Sequence, residues 1–216
     1  RTRLLALENT LGGKLLPFEY VEQATALAKN KGLNRHLDGA RLFNAAVAQA
    51  AQTGSNPLAE ARRIAQCFDS VSVCFSKGLG APVGSALCGS REFIARAHRI
   101  RKMAGGGMRQ AGILAAAGLH VLEHGLQRLA GDHARARRLA DGLVAAGWQV
   151  NLAAVQTNMV YVTVPDAAAT VERWAARGVR AGMMGATSVR LVTHFQISDA
   201  DIDAALELIG SAMPEA

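Results

Sequence analysis

The sequence is poor in cysteine, proline and aromatic residues. Its 216 residues include 3 Cys, 5 Pro, 2 Trp, 2 Tyr and 6 Phe. An odd, small number of cysteines does not suit a disulfide framework and is typical of free thiols in a reducing cytoplasm. So few prolines exclude a Pro-rich or collagen-like chain. The scarce aromatic residues do not alternate with the basic runs, which argues against a surface that stacks nucleic-acid bases.

Long hydrophobic runs are also missing. The most apolar stretch, residues 113–122, is short and rich in Ala and Gly, whereas a membrane-spanning helix needs about 18–20 apolar residues. The first residues lack the extended apolar region and cleavage site of a secretory signal. We therefore expect a cytoplasmic protein with no membrane partner.

The overall composition is that of a globular protein. Hydrophobic residues make up 50% and charged residues 19% of the chain, and the length suits one large domain or one and a half ordinary ones. The formal net charge is +7. Such a balance permits binding of anionic ligands, but the absence of interleaved aromatics favours a solvated basic surface. We expect no nucleic-acid partner.

The pattern of apolar runs changes along the chain. Residues 1–125 alternate short strands with helices, as in parallel α/β layers. A helix near residues 126–146 then leads into a smaller α+β region, with strands expected at residues 148–152, 159–164, 179–181 and 188–192. The prediction is an α/β fold: a mostly parallel major domain over residues 1–125 and a small domain over residues 126–216.

Two charged residues follow short apolar strands and precede glycine-containing turns: Asp38 and Lys77. Ligands in open α/β sheets bind at the carboxyl ends of strands. A lysine there can act as an amine nucleophile, and a carboxylate can pair with a cationic ring nitrogen. The two together describe a pyridoxal phosphate site. The spacing alone leaves open an ordinary buried ion pair or two unrelated surface residues. His36 shares a strand face with Asp38 and is interpreted as structural.

Five segments resemble one enzyme family. They are residues 7–10 (LENT), 36–45 (HLDGARLFNA), 76–85 (SKGLGAPVGS), 101–110 (RKMAGGGMRQ) and 189–194 (VRLVTH). In order and composition they are similar to the low-specificity L-threonine aldolases, pyridoxal phosphate enzymes of the β-eliminating lyase group. The resemblance extends from about residue 4 to 210. It implies the type I, aspartate-aminotransferase-like fold.

The resemblance also implies which residues hold pyridoxal 5'-phosphate. Lys77 is similar to the lysine that forms the Schiff base, and Asp38 to the partner of the pyridine nitrogen. Ser76 is similar to the serine beside the cofactor phosphate, and Arg41 to the arginine near the cofactor O3′. Arg109 resembles an arginine that reaches a phosphate across a subunit interface, with a solvated helix cation as the alternative. The family assembles as dimers of dimers, so a homo-oligomer is expected.

For the substrate, the resemblance implies that Arg190 is the main clamp on the α-carboxylate, assisted by Arg41. A bidentate guanidinium fork suits a planar carboxylate. The implied reaction is aldol cleavage of L-threonine or L-allo-threonine, and related β-hydroxy-α-amino acids, to glycine and an aldehyde. Two alternatives stay open: another β-eliminating lyase on the same fold, and an inactive fragment that serves only for assembly.

The chain departs from the family pattern in two places. The family has an N-terminal segment that supplies a phosphate cradle and two active-site histidines, and we expect this chain to lack it and to be N-terminally incomplete. Leu11 stands where family members often have histidine.

Other short motifs carry less weight. Residues 120–124 (HVLEH) match the H-x-x-E-H pattern of some zinc proteases. The pattern is short and no third ligand is placed by a motif, so surface histidines and no metal are expected. Residues 78–84 resemble a nucleotide-binding glycine loop only loosely, because their spacing does not match G-x-G-x-x-G.

Overall fold

The structure, a computed structural model, describes residues 1–210 of the 216. The chain divides into two compact units. The first comprises residues 1–11 and 15–127, and the second comprises residues 12–14 and 128–216. Residues 211–216, which end both the second unit and the small domain predicted at 126–216, lie outside the described residues.

The first unit is a four-stranded sheet with helices in the connections. Its strands are β1 (Leu4–Glu8), β2 (Asn34–Gly39), β3 (Ser70–Cys74) and β4 (Ser85–Gly89). Their spatial order is β1-β2-β3-β4, with β1, β2 and β3 parallel and β4 antiparallel to β3. Its helices are α1 (Phe18–Asn30), α2 (Leu42–Thr53), α3 (Pro57–Ala65), α4 (Arg91–Met103) and α5 (Gly112–His124). Parallel neighbours need such crossover connections, as the alternating sequence pattern predicted.

Local sequence explains where the helices of the first unit begin and what they bury. Asn56 caps α3: its side-chain oxygen accepts hydrogen bonds from the backbone N–H groups of Leu58 at 2.8 Å and Ala59 at 3.3 Å. The core of this unit combines strand residues with the alanine-rich face of α2. Its members include Val21, Leu37, Ala45, Ala46, Ile64, Val71 and Val73.

As far as residue 210, the second unit pairs an antiparallel sheet with three α-helices. Its strands, β5 (Gln149–Val150), β6 (Met159–Thr163), β7 (Gly182–Met183) and β8 (Ser188–Val192), lie in the order β5-β6-β8-β7. Its helices are α6 (Leu129–Ala145), α7 (Ala167–Ala176) and α8 (Asp199–Gly210). The core centres on a perpendicular tryptophan pair, Trp148 and Trp174, with ring centroids 5.2 Å apart.

One predicted strand of the second unit is wrong. The strand expected at residues 179–181 lies instead at Gly182–Met183. Gly178, with φ +91°, and the hydrogen bond from Val179 N–H to the Trp174 carbonyl at 2.9 Å end helix α7. Because these residues complete the helix terminus, the chain enters the sheet only later.

Among residues 1–210, no helix has the length and apolar character needed to span a membrane.

Candidate active site

The carboxyl ends of β2 and β3 bring two of the predicted site residues to one edge of the sheet. Asp38 is the penultimate residue of β2 and pairs in parallel register with Ser72 of β3. Lys77 follows the last residue of β3 by three positions. Since the strands run parallel, both residues lie where ligands bind in open α/β sheets.

Asp38 presents a solvent-exposed carboxylate. Its Oδ1 accepts a hydrogen bond from the backbone N–H of Ala40 at 3.1 Å, which orients the side chain. The next residue, Gly39, lies tight against β3: a Cβ there would come within 2.9 Å of the Ser72 carbonyl oxygen. Glycine at position 39 therefore allows β2 to run close to β3 directly beside Asp38.

The loop that carries Lys77 is held by its own backbone. Phe75 N–H donates to the Gly84 carbonyl and Ala81 N–H to the Phe75 carbonyl, both at 2.9 Å. Within this frame Gly80 N–H donates to the Lys77 carbonyl at 2.9 Å. Gly80 has φ +89°, a conformation that favours glycine. We call residues 75–81 the lysine loop.

The lysine loop buries two of its apolar residues and exposes its polar ones. Leu79 is 3% exposed and Ala81 5%, whereas Ser76 and Lys77 are exposed. Within residues 1–210, neither the Ser76 hydroxyl nor the Lys77 amine has a hydrogen-bond or ion-pair partner. Both groups are therefore available to bind a ligand.

Helix α5 supports the lysine loop through two glycines that the sequence pattern did not single out. A Cβ at Gly118 would lie 3.5 Å from the Phe75 ring, and a Cβ at Gly125 only 2.7 Å from the Leu79 carbonyl oxygen. The two glycines are seven residues apart, so they share one helical face. That spacing of small residues was visible in the sequence, but nothing there indicated which segment they face.

Two predicted arginines occupy different surroundings in the first unit. Arg41 precedes α2 at its N-terminus, two residues after β2 ends, and is half-buried. Arg109 is exposed in the segment between α4 and α5, next to Gln110, which has φ +49°. The structure thus brings Arg41 to the same sheet edge as Asp38 and leaves Arg109 on a surface segment.

Arg190 belongs to the second unit, in the middle of strand β8. It is half-buried, and its Nε is a buried atom without a hydrogen-bond partner in the structure. Among residues 1–210 Arg190 forms no ion pair. A guanidinium in this state is suited to an anionic ligand.

The polar groups at the sheet edge of the first unit fit pyridoxal phosphate chemically. An exposed Asp38 carboxylate suits a protonated ring nitrogen, and the unpartnered Lys77 amine suits the aldehyde carbon. The unpartnered Ser76 hydroxyl and an arginine are suited to the phosphate.

Metal binding finds no comparable support. The rings of His120 and His124 on α5 lie in contact at a tilt of 57°, with centroids 4.7 Å apart. Across residues 1–210 there is no group of three or more His, Cys, Asp and Glu side chains placed to hold a metal ion.

Two titratable residues are neighbours on α6 of the second unit: Asp132 is buried and His133 is half-buried. Burial raises the pKa of Asp132 against the attraction of Arg135, whose Nη1 lies 3.4 Å from its Oδ1. Burial lowers the pKa of His133 to about 4. Both groups are therefore held toward their neutral forms.

Comparison with protein families and curated proteins gives a consistent result. Residues 1–165 match the family model described as Beta-eliminating lyase. The chain is 44% identical over 211 residues to a probable low-specificity L-threonine aldolase 2 of Arabidopsis thaliana, covering 94% of this chain and 57% of that protein. It is 46% identical over 200 residues to the low specificity L-threonine aldolase of Escherichia coli K12, covering 92% of this chain and 56% of that protein. The chain thus spans little more than half the length of these relatives.

Solved structures confirm the predicted fold. A threonine aldolase of Leishmania major superposes with TM-score 0.79 at 20% identity, over 97% of this chain and 61% of that chain. A putative L-allo-threonine aldolase of Listeria monocytogenes superposes with TM-score 0.75 at 22% identity, over 98% of this chain and 61% of that chain. The α/β architecture of type I pyridoxal phosphate enzymes is therefore shared.

Proposed function

Because this chain belongs to the Beta-eliminating lyase family, we propose that the protein is a pyridoxal-phosphate-dependent L-threonine aldolase. It cleaves L-threonine, L-allo-threonine and related β-hydroxy-α-amino acids to glycine and an aldehyde. The observation that carries the proposal is the placement of Asp38 and the lysine loop at the carboxyl ends of two adjacent parallel strands, β2 and β3. Relatives named as low-specificity L-threonine aldolases support the choice of substrate.

In this proposal the chain's own residues hold the cofactor. Lys77 binds it covalently, Asp38 keeps its ring nitrogen protonated, and Ser76 and Arg109 bind its phosphate. Arg41 lies beside it after strand β2. When bound, pyridoxal phosphate accepts electrons from a bond that breaks at the amino-acid α-carbon.

Arg190 and Arg41 bind the substrate carboxylate and orient the Cα–Cβ bond, which is the positioning contribution to the rate. The cleavage removes the proton of the β-hydroxyl group, breaks Cα–Cβ and returns a proton to Cα. Arginine stays protonated in proteins, so neither guanidinium acts as the base. Another group must accept the hydroxyl proton.

The proposal includes the setting of the enzyme. A dimer of dimers would give the exposed Arg109 a role at a neighbouring subunit's phosphate. Residues 1–125 would belong to the cofactor domain and residues 126–216 to the small domain. The free thiols of Cys67, Cys74 and Cys88 are compatible with the cytoplasm.

The test is a pair of lysine variants. Lys77→Ala removes the proposed nucleophile, and Lys31→Ala removes an exposed lysine at the end of α1. We expect Lys77→Ala to lose aldehyde release by at least about a thousandfold and Lys31→Ala to match wild type. Borohydride treatment followed by peptide mapping should find the cofactor on Lys77. Normal turnover by Lys77→Ala would contradict the proposal.

A different β-eliminating lyase activity is the second candidate, favoured by the description of the matching family model. Product analysis with threonine, phenylserine and tyrosine separates the two, because only aldol cleavage yields glycine.

A further inference from the structure

Arg190 lies in a row of three residues on adjacent strands of the second unit. In the antiparallel register, Tyr161 of β6 is directly opposite Arg190 on one side and Gly182 of β7 on the other. Directly opposed residues project from the same face of a sheet, with Cβ atoms about 4.5–5.5 Å apart. Val162 follows Tyr161 and Val189 precedes Arg190, and both valines belong to the hydrophobic core. The row of three residues therefore lies on the sheet face opposite to the core.

The two polar residues of this row, Arg190 and Tyr161, can each donate a further hydrogen bond. Arg190 has a buried Nε without a partner. The Tyr161 hydroxyl contacts the Met159 sulfur at 3.6 Å, and a thioether is a weak acceptor. Among residues 1–210, Tyr161 has no oxygen or nitrogen partner. Leaving a buried donor such as Arg190 Nε unpaired is costly, which points to an acceptor from outside residues 1–210.

The third member of the row leaves space beside the guanidinium. A Cβ built at Gly182 would lie 3.9 Å from Arg190 Nη2 and would meet only atoms of Arg190 within 4 Å. At the other end of the row, the glycine backbone of residues 12–13 lies against β6: a Cβ at Gly12 would be 3.5 Å from the Tyr161 oxygen. The Thr157 hydroxyl holds this segment by donating to the Gly13 carbonyl at 2.7 Å.

We propose that Tyr161 is the second ligand of the substrate carboxylate: its phenol donates to one carboxylate oxygen while Arg190 binds the anion, and Gly182 keeps the space beside the guanidinium open. This inference rests on the proposed function and assigns a specificity-determining residue to it. The Arg190 guanidinium provides donors only and is positively charged, and the Tyr161 phenol can donate its O–H. The pair therefore suits a carboxylate better than a cationic group at the same place.

The experiment compares two amines on the holoenzyme that contains this chain. Glycine carries the carboxylate, and methylamine is glycine without it. Binding of each is measured by titration of the cofactor absorbance. For Tyr161→Phe we expect glycine to bind roughly 10- to 100-fold more weakly, as for a lost hydrogen bond to a charged group, and methylamine to bind as in wild type. With threonine, KM rises by a similar factor and kcat stays within about twofold.

Matched controls isolate the two positions. Tyr20→Phe changes the only other tyrosine of the chain, which is exposed on α1, and should bind glycine as wild type does. Gly182→Leu fills the space beside Arg190 and should weaken glycine but not methylamine. Met183→Leu, at the exposed neighbouring position, should weaken neither.

The outcomes separate this inference from the function on which it rests. If wild type cleaves threonine and Tyr161→Phe binds glycine as Tyr20→Phe does, the role of Tyr161 is refuted and the aldolase stands. Equal weakening of glycine and methylamine also refutes it, because the effect would then be structural. If wild type neither responds to glycine nor cleaves threonine, both proposals fail.

Discussion

The close approach of Gly125 to the lysine loop predicts that Gly125→Ala harms both stability and activity. Gly125 has φ −76° and ψ −36°, which alanine adopts readily, so backbone strain is not the reason. The added Cβ would lie 2.7 Å from the Leu79 carbonyl oxygen and 2.5 Å from that of Val121. Such contacts are too short, and both involve backbone, so the lysine loop or the end of α5 must shift.

The size of the effect follows from two opposing contributions. Overpacking costs about 1–3 kcal/mol. Replacement of glycine by alanine at a compatible conformation raises the free energy of unfolding by about 0.4–1 kcal/mol, because it lowers the conformational entropy of the unfolded chain. We therefore expect the free energy of unfolding to fall by about 1–2 kcal/mol. Because misplacement of a reacting group by 1 Å can cost about a hundredfold in rate, the smaller shift needed at Leu79 should lower kcat roughly three- to tenfold.

Gly112→Ala is the matched control, since it begins the same helix and a Cβ there meets nothing within 4 Å. It should be neutral or slightly stabilising. Urea unfolding is best followed by far-UV circular dichroism, because both tryptophans, Trp148 and Trp174, lie in the second unit. If Gly125→Ala is as stable as Gly112→Ala and is trapped on Lys77 by borohydride as efficiently as wild type, the reasoning is refuted.

Two further predictions concern stability alone. The pKa of His133 is about 4 in the folded chain and 6.5 as the ordinary value of histidine. Between these pH values His133 is protonated in the unfolded chain but neutral in the folded chain. The free energy of unfolding should therefore fall by about 1 kcal/mol per pH unit as the pH falls, and His133→Gln should flatten this dependence while exposed His120→Gln leaves it unchanged. Asn56→Ala removes the cap of α3 and should cost about 1 kcal/mol in urea unfolding, whereas Asn56→Asp should retain most of it. An unchanged pH dependence in His133→Gln would contradict the first prediction, and an unchanged urea midpoint in Asn56→Ala would contradict the second.

The order of strands and helices in the first unit could be predicted from the sequence because it depends on local patterns. The β-rich run Val71–Phe75 shortly before Lys77-Gly78, and the glycine that follows Asp38, indicate strand ends followed by turns. Parallel pairing with crossover helices then places both strand ends at one edge. The same pattern singled out Asp38 and Lys77 as candidates at this edge, whereas Ser76 and Arg41 were chosen from the resemblance to the aldolase family.

The strand predicted at residues 179–181 shows where local patterns are insufficient. Val179 and Ala181 are apolar and suit a strand, but Val179 N–H is already used to end helix α7. A backbone N–H group serves one structure at a time, and the competition between the helix terminus and the sheet depends on how α7 packs. Sequence spacing does not contain that information.

The sequence by itself determined which chemical groups this protein has available: an aspartate at the end of one strand, a lysine shortly after the next, and an arginine in a strand of the second unit. Only the tertiary structure decided the neighbours of those residues. Tyr161 faces Arg190 through the register of two strands, although the two residues are 29 positions apart in the chain, and Gly125 meets Leu79 across 46 positions. Such partners arise from long-range packing, in which a shift of one residue in register would turn every side chain of a strand to the opposite face.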